Sequence, residues 1–585
     1  MPLLRKLNLP NDIKKLSVNE LDELALDLYH EMLELSKIRS IHFSSNLGVI
    51  ELTISLLKVF NPLKDNIIFD VTHQTYIYKM LTKRLNKMKS IRTYQGLSGF
   101  QDPFESKYDK FSAGHAGTSL SVATGIYLGL SKSQQLNSDV VVIIGDASLS
   151  NGMALEALEA NIDLKVPLII IINDNNMSIS QDIGSLHHIL VNLQKNNTHP
   201  NFFEYMGYKY FGVINGHNLY ELIKVLDEAK TYKNKYQTSV IIHIKTIKGY
   251  RYKLDTNGSY HSYKFNTDSY DAIKNSTGYF INQELTKFYK TNKNFKIVSP
   301  SMTYNMGFSE LMKEMKKNFI DLGIQEENAI TIAAGISIKK KYYVIVNTYS
   351  TFLQRTYDQL MHDVARMKLP LTILLDRADL CGTNGATHTG IFDVSMLKTI
   401  PNTLITNPIS NHQVWELLKY SIQNNKDQIF VIRYDTKQAN AKNELVEFIN
   451  NLPIKFNEWQ ILKHHSNNKI CFISSGTYYL KILDEFMNLP NISFINALFL
   501  NNYSINSLKW LFNQNFQTII VYERLNEINT LANELEAYCF NNKINIKIIK
   551  MNYHGFIVHG ENEKLDELYH MDLKTIKKYF DENLH

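Results

Sequence analysis

Cysteine is scarce. Three residues, Cys381, Cys471 and Cys539, lie far apart and are odd in number, which argues against a disulfide framework or a Cys-x-x-Cys metal site. That fits a reducing compartment. Charge of one sign is lacking too: 63 Lys and Arg stand against 57 Asp and Glu, a net +6 over 585 residues. An excess so dilute leaves no electrostatic footprint for nucleic acid or a membrane surface. No apolar run approaches the ~18 residues that a membrane helix needs. The start, Met1-Pro2-Leu3-Leu4-Arg5-Lys6, leads into polar, charged sequence with no apolar signal segment. These absences predict a cytoplasmic protein with neither a membrane nor a nucleic-acid partner.

What is present is an ordinary globular balance, 44% hydrophobic and 21% charged. The length suits three or four domains of roughly 100–200 residues. Residues 12–38 carry helical periodicity in Leu16, Leu21, Leu24, Leu28, Met32 and Leu33. Two strand-length apolar runs follow, Val140–Ile144 and Leu168–Ile172, with a helix-like stretch over Gly152–Ile162 between them. Strand–helix–strand is the unit of a parallel sheet. The pattern returns with helices over Ala329–Ile338 and 353–367 and strands over Tyr343–Val346 and Leu371–Leu375. A third block repeats it at Ile470–Ile473, Thr518–Val521 and Ile544–Ile549. Polar stretches near 288–297 and 437–446 read as linkers. The expectation is an α/β protein of three domains, 1–287, 298–440 and 455–585, with mostly parallel sheets flanked by helices.

The first apolar run ends in Gly145-Asp146-Ala147-Ser148 and the second in Asn173-Asp174-Asn175-Asn176-Met177. Parallel strands joined by one helix bring their C-terminal ends side by side, where ligands of such sheets sit. The Asp146 carboxylate, the Asn175 amide oxygen and the Met177 carbonyl are hard oxygen ligands suited to Mg²⁺, with phosphate oxygens completing the shell. The intervening helix turns its positive end to the same place. Either half alone is an ordinary polar turn. Together, about 30 residues apart around one helix, they resemble the thiamine-diphosphate motif, which begins Gly-Asp-Gly and ends in an Asn pair or Asn-Asp-Asn. Ala147 departs from its second glycine, which is permissible only if the backbone there does not need φ > 0.

Further segments narrow the likeness. In order they are His42–Gly48, Asp70–Tyr76, Gly96–Phe100, Gly114–Ser119, Lys245–Tyr250 and Tyr260-His261. The second half continues with Glu326–Ala329, Tyr349-Ser350-Thr351-Phe352-Leu353-Gln354-Arg355, Asp376-Arg377-Ala378 and Gly385–His388. From about residue 35 to 575 the chain resembles the 1-deoxy-D-xylulose-5-phosphate synthase family, a transketolase-related group. The resemblance implies a transketolase-like thiamine-diphosphate fold and a homodimer, with the cofactor between the first two domains. It implies a transferase that condenses pyruvate with glyceraldehyde 3-phosphate, releases CO₂ and makes a precursor of isoprenoids, thiamine and pyridoxal. The cofactors would be thiamine diphosphate and Mg²⁺, and the thiazolium ylid would serve as electron sink.

The family's residue roles carry over position by position. Glu326 matches the glutamate that contacts the aminopyrimidine, and the adjacent Glu327 is expected to raise its pKa. Phe352 matches the aromatic stacked on that ring. His42, His261 and His388 match active-site histidines that move protons. His73, Gly114, His115, Gly145, Asp146, Ala147, Ser148, Asn175, Met177 and Lys248 match cofactor-binding positions; Asp146, Asn175 and Met177 form the metal set. Tyr349, Arg355, Arg377 and Asn384 match the substrate pocket, where arginine's planar fork suits a phosphate.

Departures cluster at the acceptor. Asn384 replaces an Asp of the family's Asp-Gly-x-Thr-His. The family's Arg-Tyr-Pro-Arg-Gly is here Arg433-Tyr434-Asp435-Thr436-Lys437, so Thr436 stands for the phosphate-holding Arg and Asp435 adds a carboxylate beside it. Losing one charge-assisted contact costs about 1.5–3 kcal/mol. The segment after Gly184 is also shorter than in the family. Three readings stay open: the synthase itself, a pyruvate carboligase with a different acceptor, an unphosphorylated aldehyde among the candidates, and a non-catalytic cofactor-binding relative.

Overall fold

The computed structural model describes residues 2–177, 183–196, 199–252 and 273–584. They fall into two compact units, Met1–Ser269 with Leu322–Gln325, and Tyr270–Asp321 with Glu326–His585.

The first unit is built on five strands: β1 (Asn66–Phe69), β2 (Val140–Gly145), β3 (Ile169–Asp174), β4 (Lys209–Asn215) and β5 (Val240–Lys245). Their order is β1-β2-β3-β5-β4 and every pairing is parallel. Both faces are covered, which is why β2 and β3 read as unbroken Val/Ile runs, and β5 as one interrupted by His243, rather than alternating ones. Val141, Ile143, Ile169, Ile171, Val240 and Ile242 pack into one core. Val142, Ile144, Ile170, Ile172 and Ile241 pack into the other. Each such side chain, fully buried, contributes roughly 1.5–3 kcal/mol. The crossover helix Gly152–Asp163 joins β2 to β3, and the register Gly145↔Asn173 brings the two strand ends level.

The second unit holds two sheets. The first contains β6 (Phe295–Ser299), β7 (Phe319–Asp321), β8 (Tyr343–Tyr349), β9 (Leu371–Asp376), β10 (Thr403–Thr406) and β11 (Ile429–Arg433). Its order is β10-β11-β9-β8-β6-β7, again all parallel. The other contains β12 (Gln460–Lys463), β13 (Ile470–Ser474), β14 (Ile492–Asn496), β15 (Thr518–Asn526) and β16 (Lys547–Tyr553), in the order β12-β14-β13-β15-β16. Only its edge strand β12 pairs antiparallel. The sheets are thus mostly parallel and flanked by helices, as expected.

Several elements differ from the sequence expectation. The first long helix runs from Val18 to Ile38, because Ser17 and Glu20 close a capping box ahead of it. Residues 353–367 are not one helix. A short helix Ser350–Leu353 passes into a tight turn, Gln354–Thr356, and then a wide-pitched turn, Gln359–Ala365; the Thr356 hydroxyl takes the Leu353 carbonyl at 2.8 Å. The polar stretch 288–297 is no linker. It is the end of helix Thr277–Thr291 and the start of β6, both in the second unit. That helix buries Ile281, Leu285 and Tyr289, so its polar residues are a solvated face. The stretch 437–446 is irregular up to Lys442 and helical from Asn443. The last strand begins at Lys547 rather than Ile544. Among the described residues no helix is long and apolar enough to cross a membrane.

Candidate functional site

In the first unit the candidate residues collect at the C-terminal ends of β1, β2, β3 and β5. After β1 the chain turns sharply through Val71 and Thr72, with φ of 59° and 66°. Two consecutive β-branched residues in the left-handed region are strained by of order 1–3 kcal/mol each, the kind of backbone that persists where surroundings over-determine it. The turn is tied down by Thr75 Oγ1 donating to the Thr72 carbonyl (2.6 Å) and Gln101 N–H donating to Thr72 Oγ1 (3.1 Å). It leaves the Asp70 carboxylate accepting N–H bonds from Gly117 (3.0 and 3.1 Å) and Ser119 (3.2 Å). Burial raises the Asp70 pKa against these bonds and those of the Ser119 and Ser148 hydroxyls. Gly117 has φ +86°, and a Cβ there would lie 2.4 Å from Asn151 Oδ1. Only glycine lets the Gly114–Ser119 segment approach the crossover helix this closely.

At the end of β2, Gly145 has extended geometry and Asp146 opens a short helix, Asp146–Leu149. Ala147 lies inside that turn and is not among the positive-φ residues. Alanine therefore fits where the motif has glycine. Asp146 is buried, and nothing lies within 4 Å of a Cβ built on Gly145.

The turn after β3 is pinned from three sides. Asp174 is fully buried; its Oδ1 accepts the Asn176 N–H at 3.0 Å. Its Oδ2 meets Gln194 Nε2 at 2.6 Å and His243 Nε2 at 2.8 Å. His243 Nδ1 in turn meets the Tyr210 hydroxyl at 2.7 Å. Burial alone would raise the Asp174 pKa, but its bond to His243, that residue's charge and the bonds from Gln194 and Asn176 hold it below the usual carboxylate value. Asn175 Oδ1 accepts the Met177 N–H at 3.1 Å, and Asn173 Oδ1 accepts the Thr246 hydroxyl at 2.6 Å. Gln194 lies on helix Ser185–Asn196, just after Gly184, so that helix supports the turn.

His42 and His73 are brought together edge to face, with ring centroids 5.7 Å apart. Asn46 sets the pair: its Nδ2 donates to the His42 and His73 carbonyls at 2.7 and 2.9 Å, and its Oδ1 accepts the Tyr76 N–H at 2.8 Å. Lys248 is nearby. Burial pushes its ammonium down to about 8, against the upward pull of Asp146. Burial, then the Lys248 charge, pushes His73 down to about 3, so His73 is neutral at pH 7. The loop bearing Lys248 is held by His217, whose Nε2 accepts the Ile247 N–H at 2.9 Å. Nδ1 is therefore the protonated nitrogen, facing Glu51 Oε2 at 3.1 Å. Gly114 is buried and His115 half-buried in the same unit. His261 lies outside the described residues.

The second unit gathers its own set. Glu326 is the first residue of helix Glu326–Ile338 and is buried. Burial pushes its carboxyl up to about 6; Arg355, with Nη1 at 3.7 Å from Oε2, opposes this, and Glu327 adds the smallest contribution. The structure thus pairs Arg355 with Glu326. Tyr349 and Phe352 are stacked at 5.4 Å, His388 meets Phe352 edge-on at 5.7 Å, and the Arg377 guanidinium lies 3.8 Å from the Tyr349 ring centroid. His388 Nδ1 bonds the Thr387 hydroxyl at 2.8 Å. Asn384 Nδ2 reaches Cys381 Sγ at 3.6 Å. Thr436 donates no cation here; its carbonyl accepts the Thr277 N–H at 2.9 Å. Burial and the neighbouring charges of Asp379 and Asp376 push Asp435 up to about 7.

Asp70, Asp174, His243, Gln194 and Asn46 were not assigned by sequence reasoning. A lone His in the run Val240–Lys245 reads as a core residue, and Gln194 reads as one polar position of an amphipathic helix. Only the Asn-Asp-Asn string held a usable signal, since its central Asp turns inward from the chain reversal.

Similarity to known proteins follows this geometry. Residues 4–202 match the family described as 1-deoxy-D-xylulose-5-phosphate synthase. Residues 128–325 match the transketolase thiamine diphosphate binding domain and residues 274–441 the transketolase pyrimidine binding domain. The 1-deoxy-D-xylulose-5-phosphate synthase of Malacoplasma penetrans (strain HF-2) is 36% identical over 97% of each chain. That of Clostridium acetobutylicum is 33% identical, also over 97% of each. That of Listeria monocytogenes is 38% identical over 74% of this chain and 73% of its own.

Proposed function

Because the chain belongs to the 1-deoxy-D-xylulose-5-phosphate synthase family, we propose that it joins pyruvate to glyceraldehyde 3-phosphate with loss of CO₂, forming 1-deoxy-D-xylulose 5-phosphate, with thiamine diphosphate and Mg²⁺ as cofactors. The observation that carries the reading is Glu326, a buried carboxyl raised to about 6 beside the stacked Tyr349 and Phe352 segment. A carboxyl so poised exchanges a proton with a ring nitrogen near neutral pH. Thiamine diphosphate, when bound, would supply the electron sink for decarboxylation and return the stored electron pair to the aldehyde carbon.

The remaining chemistry falls to the chain. Asp146, the Asn175 side chain and the Met177 carbonyl suit an octahedral Mg²⁺. One carboxylate does not neutralise a dication, and among the described residues no three His, Cys, Asp or Glu side chains gather as a metal site. A metal here therefore depends on diphosphate oxygens, and Lys248 adds a positive charge for the same anion. Neutral His73 offers a hydrogen bond without charge. His42 and His388 are the groups to deliver a proton to the aldehyde oxygen, and Arg377 is the group to hold the acceptor phosphate. We further take the protein to be a cytoplasmic homodimer, which sedimentation of the cofactor-loaded chain would test.

Full-length similarity favours the synthase over a carboligase for unphosphorylated aldehydes. The test is a steady-state assay with Mg²⁺, thiamine diphosphate and pyruvate, comparing glyceraldehyde 3-phosphate with free glyceraldehyde. The phosphorylated acceptor should have the higher kcat/KM. The opposite preference would overturn the reading, and cofactor binding without CO₂ release from any acceptor would mark a non-catalytic relative.

A further inference from the structure

The loop that carries Arg377 and Asn384 is held by residues of the sheet β12–β16 that have no part in the reading so far. Asp379 lies two residues beyond Arg377 and is buried. Arg524, on β15, donates through Nε to both Asp379 oxygens, at 2.8 and 2.7 Å. Its Nη1 donates to Asp566 Oδ1 at 2.9 Å and to the Tyr522 hydroxyl at 3.0 Å. The guanidinium lies 4.1 Å from the Tyr478 ring centroid, and the Tyr553 hydroxyl donates to the same Asp566 oxygen at 2.6 Å. The loop's own backbone closes on Asp379: the Leu380 N–H donates to Oδ1 at 2.6 Å and the Gly390 N–H to the Asp379 carbonyl at 2.8 Å.

A second grip lies three residues on. The Gly382 N–H donates to Asn562 Oδ1 at 3.0 Å, and the Gly382 carbonyl accepts the Gly560 N–H at 2.9 Å. A Cβ at Gly382 would lie 2.5 Å from both Asn562 Oδ1 and the Gly560 carbonyl, so the two segments pass at a distance only glycine permits.

The electrostatics give the first grip a specific purpose. Asp376, Asp379, Asp435 and Asp566 are all buried or half-buried here. The charges of Asp379 and Asp376 both act on Asp435, and Arg524 opposes their effect on it. Arg377 feels Asp376 and Asp435 as well. Buried carboxylates this close seek a cation. Arg524 engages two of them through its fork, an arrangement a point charge cannot copy.

We propose that Arg524 is a positioning residue for the acceptor: anchored on Asp566, it holds Asp379 and so keeps that carboxylate off Arg377, leaving that guanidinium to the acceptor's phosphate. The proposal rests on the acceptor reading above. Without Arg524, Asp379 turns to the cation two residues away. Arg377 is then occupied and the pocket gains negative charge, which penalises an anionic acceptor and spares a neutral one.

The test compares wild type, R524M, R524K and the double variant D379N/R524M as full-length protein loaded with Mg²⁺ and thiamine diphosphate. The readout is the ratio of KM for glyceraldehyde 3-phosphate to KM for free glyceraldehyde, with the KM for pyruvate as control. R524M should raise the ratio about tenfold with the pyruvate KM unchanged, and R524K about threefold. The double variant should recover most of the loss, since it removes the competing carboxylate. An unchanged ratio, or a KM increase shared equally by both acceptors, overturns the proposal and leaves Arg524 a purely structural residue. Should R524M fail to fold, an unchanged ratio in R524K overturns it equally. Wild type that prefers free glyceraldehyde would sink the functional reading itself, a result visible before any variant is compared.

Discussion

At Glu326, burial outweighs everything charged around it. Arg355 is 3.7 Å away and lowers its pKa, yet the carboxyl is pushed up to about 6. The sequence pointed to Glu327 as the cause, since an adjacent carboxylate is visible in a string of letters. Desolvation is not visible there, because it depends on what packs over the helix start. The shift carries a stability consequence with a definite sign. The native carboxyl binds its proton more tightly than the unfolded one, whose ordinary value is 4.5. Its contribution is therefore fully present below about 4.5 and is lost as pH rises through about 6, by about 2 kcal/mol in total. Glu326→Gln removes the titration. Urea unfolding of the cofactor-free protein at pH 4.5 and pH 7 should show the variant losing about 2 kcal/mol less stability across that interval than wild type. Equal losses would mean that Glu326 is not desolvated as described. Ala147 makes the complementary point: a departure from the motif that looked costly is harmless, because its turn is helical.

Strand ends and the turns that follow them explain which parts of the site were legible. β2 and β3 announce themselves as Val/Ile runs because both faces are buried, and the polar strings at their ends mark the ligand side. What the strings omit is their support. The register Ile172↔His243 sets β5 beside β3, and His243 uses this position to bridge Asp174 and the Tyr210 hydroxyl. Nothing local in Val-Ile-Ile-His-Ile-Lys predicts that bridge, since its partners lie 69 and 33 residues away. The same limit hid the broken helix after Tyr349 and made the solvated face of helix Thr277–Thr291 look like a linker. His243→Leu tests what the bridge does. It leaves Asp174 buried beside an apolar group, a change of about 3–5 kcal/mol in stability. If the bridge holds the Asn175–Met177 turn in shape, the apparent Kd for Mg²⁺ with thiamine diphosphate should also weaken about tenfold, while Tyr210→Phe, which removes only the outer bond, should weaken it less. Titration of the cofactor pair against tryptophan fluorescence would read this. Lost stability with unchanged cofactor affinity would reduce the bridge to fold support.

Across the whole molecule, the resemblance proposes two groups of residues but not how the fold keeps their tasks apart. The first unit carries Asp146, Asn175, Met177 and Lys248, proposed for the anion and metal; the second carries Glu326 and Phe352 and, proposed for the acceptor, Arg377 and Asn384. The sheet β12–β16, which shows no cofactor motif in its sequence, enters the chemistry through Arg524, and that role was illegible because it consists of contacts between segments 145 residues apart. Separate tasks predict separable defects. A ligand that binds only the folded protein stabilises it by RT ln(1 + [L]/Kd), about 2.7 kcal/mol at a hundred times Kd. Mg²⁺ with thiamine diphosphate at that level should raise the melting temperature of wild type by several degrees. Asp146→Asn replaces the one carboxylate of the proposed metal set with a neutral group of the same shape and should lose most of that rise, with the melting temperature of the cofactor-free protein little changed. Arg377→Met should keep the full rise and instead raise the KM for glyceraldehyde 3-phosphate about tenfold. If Arg377→Met abolished the cofactor-induced rise, or Asp146→Asn preserved it, the division of tasks between the two units would be wrong.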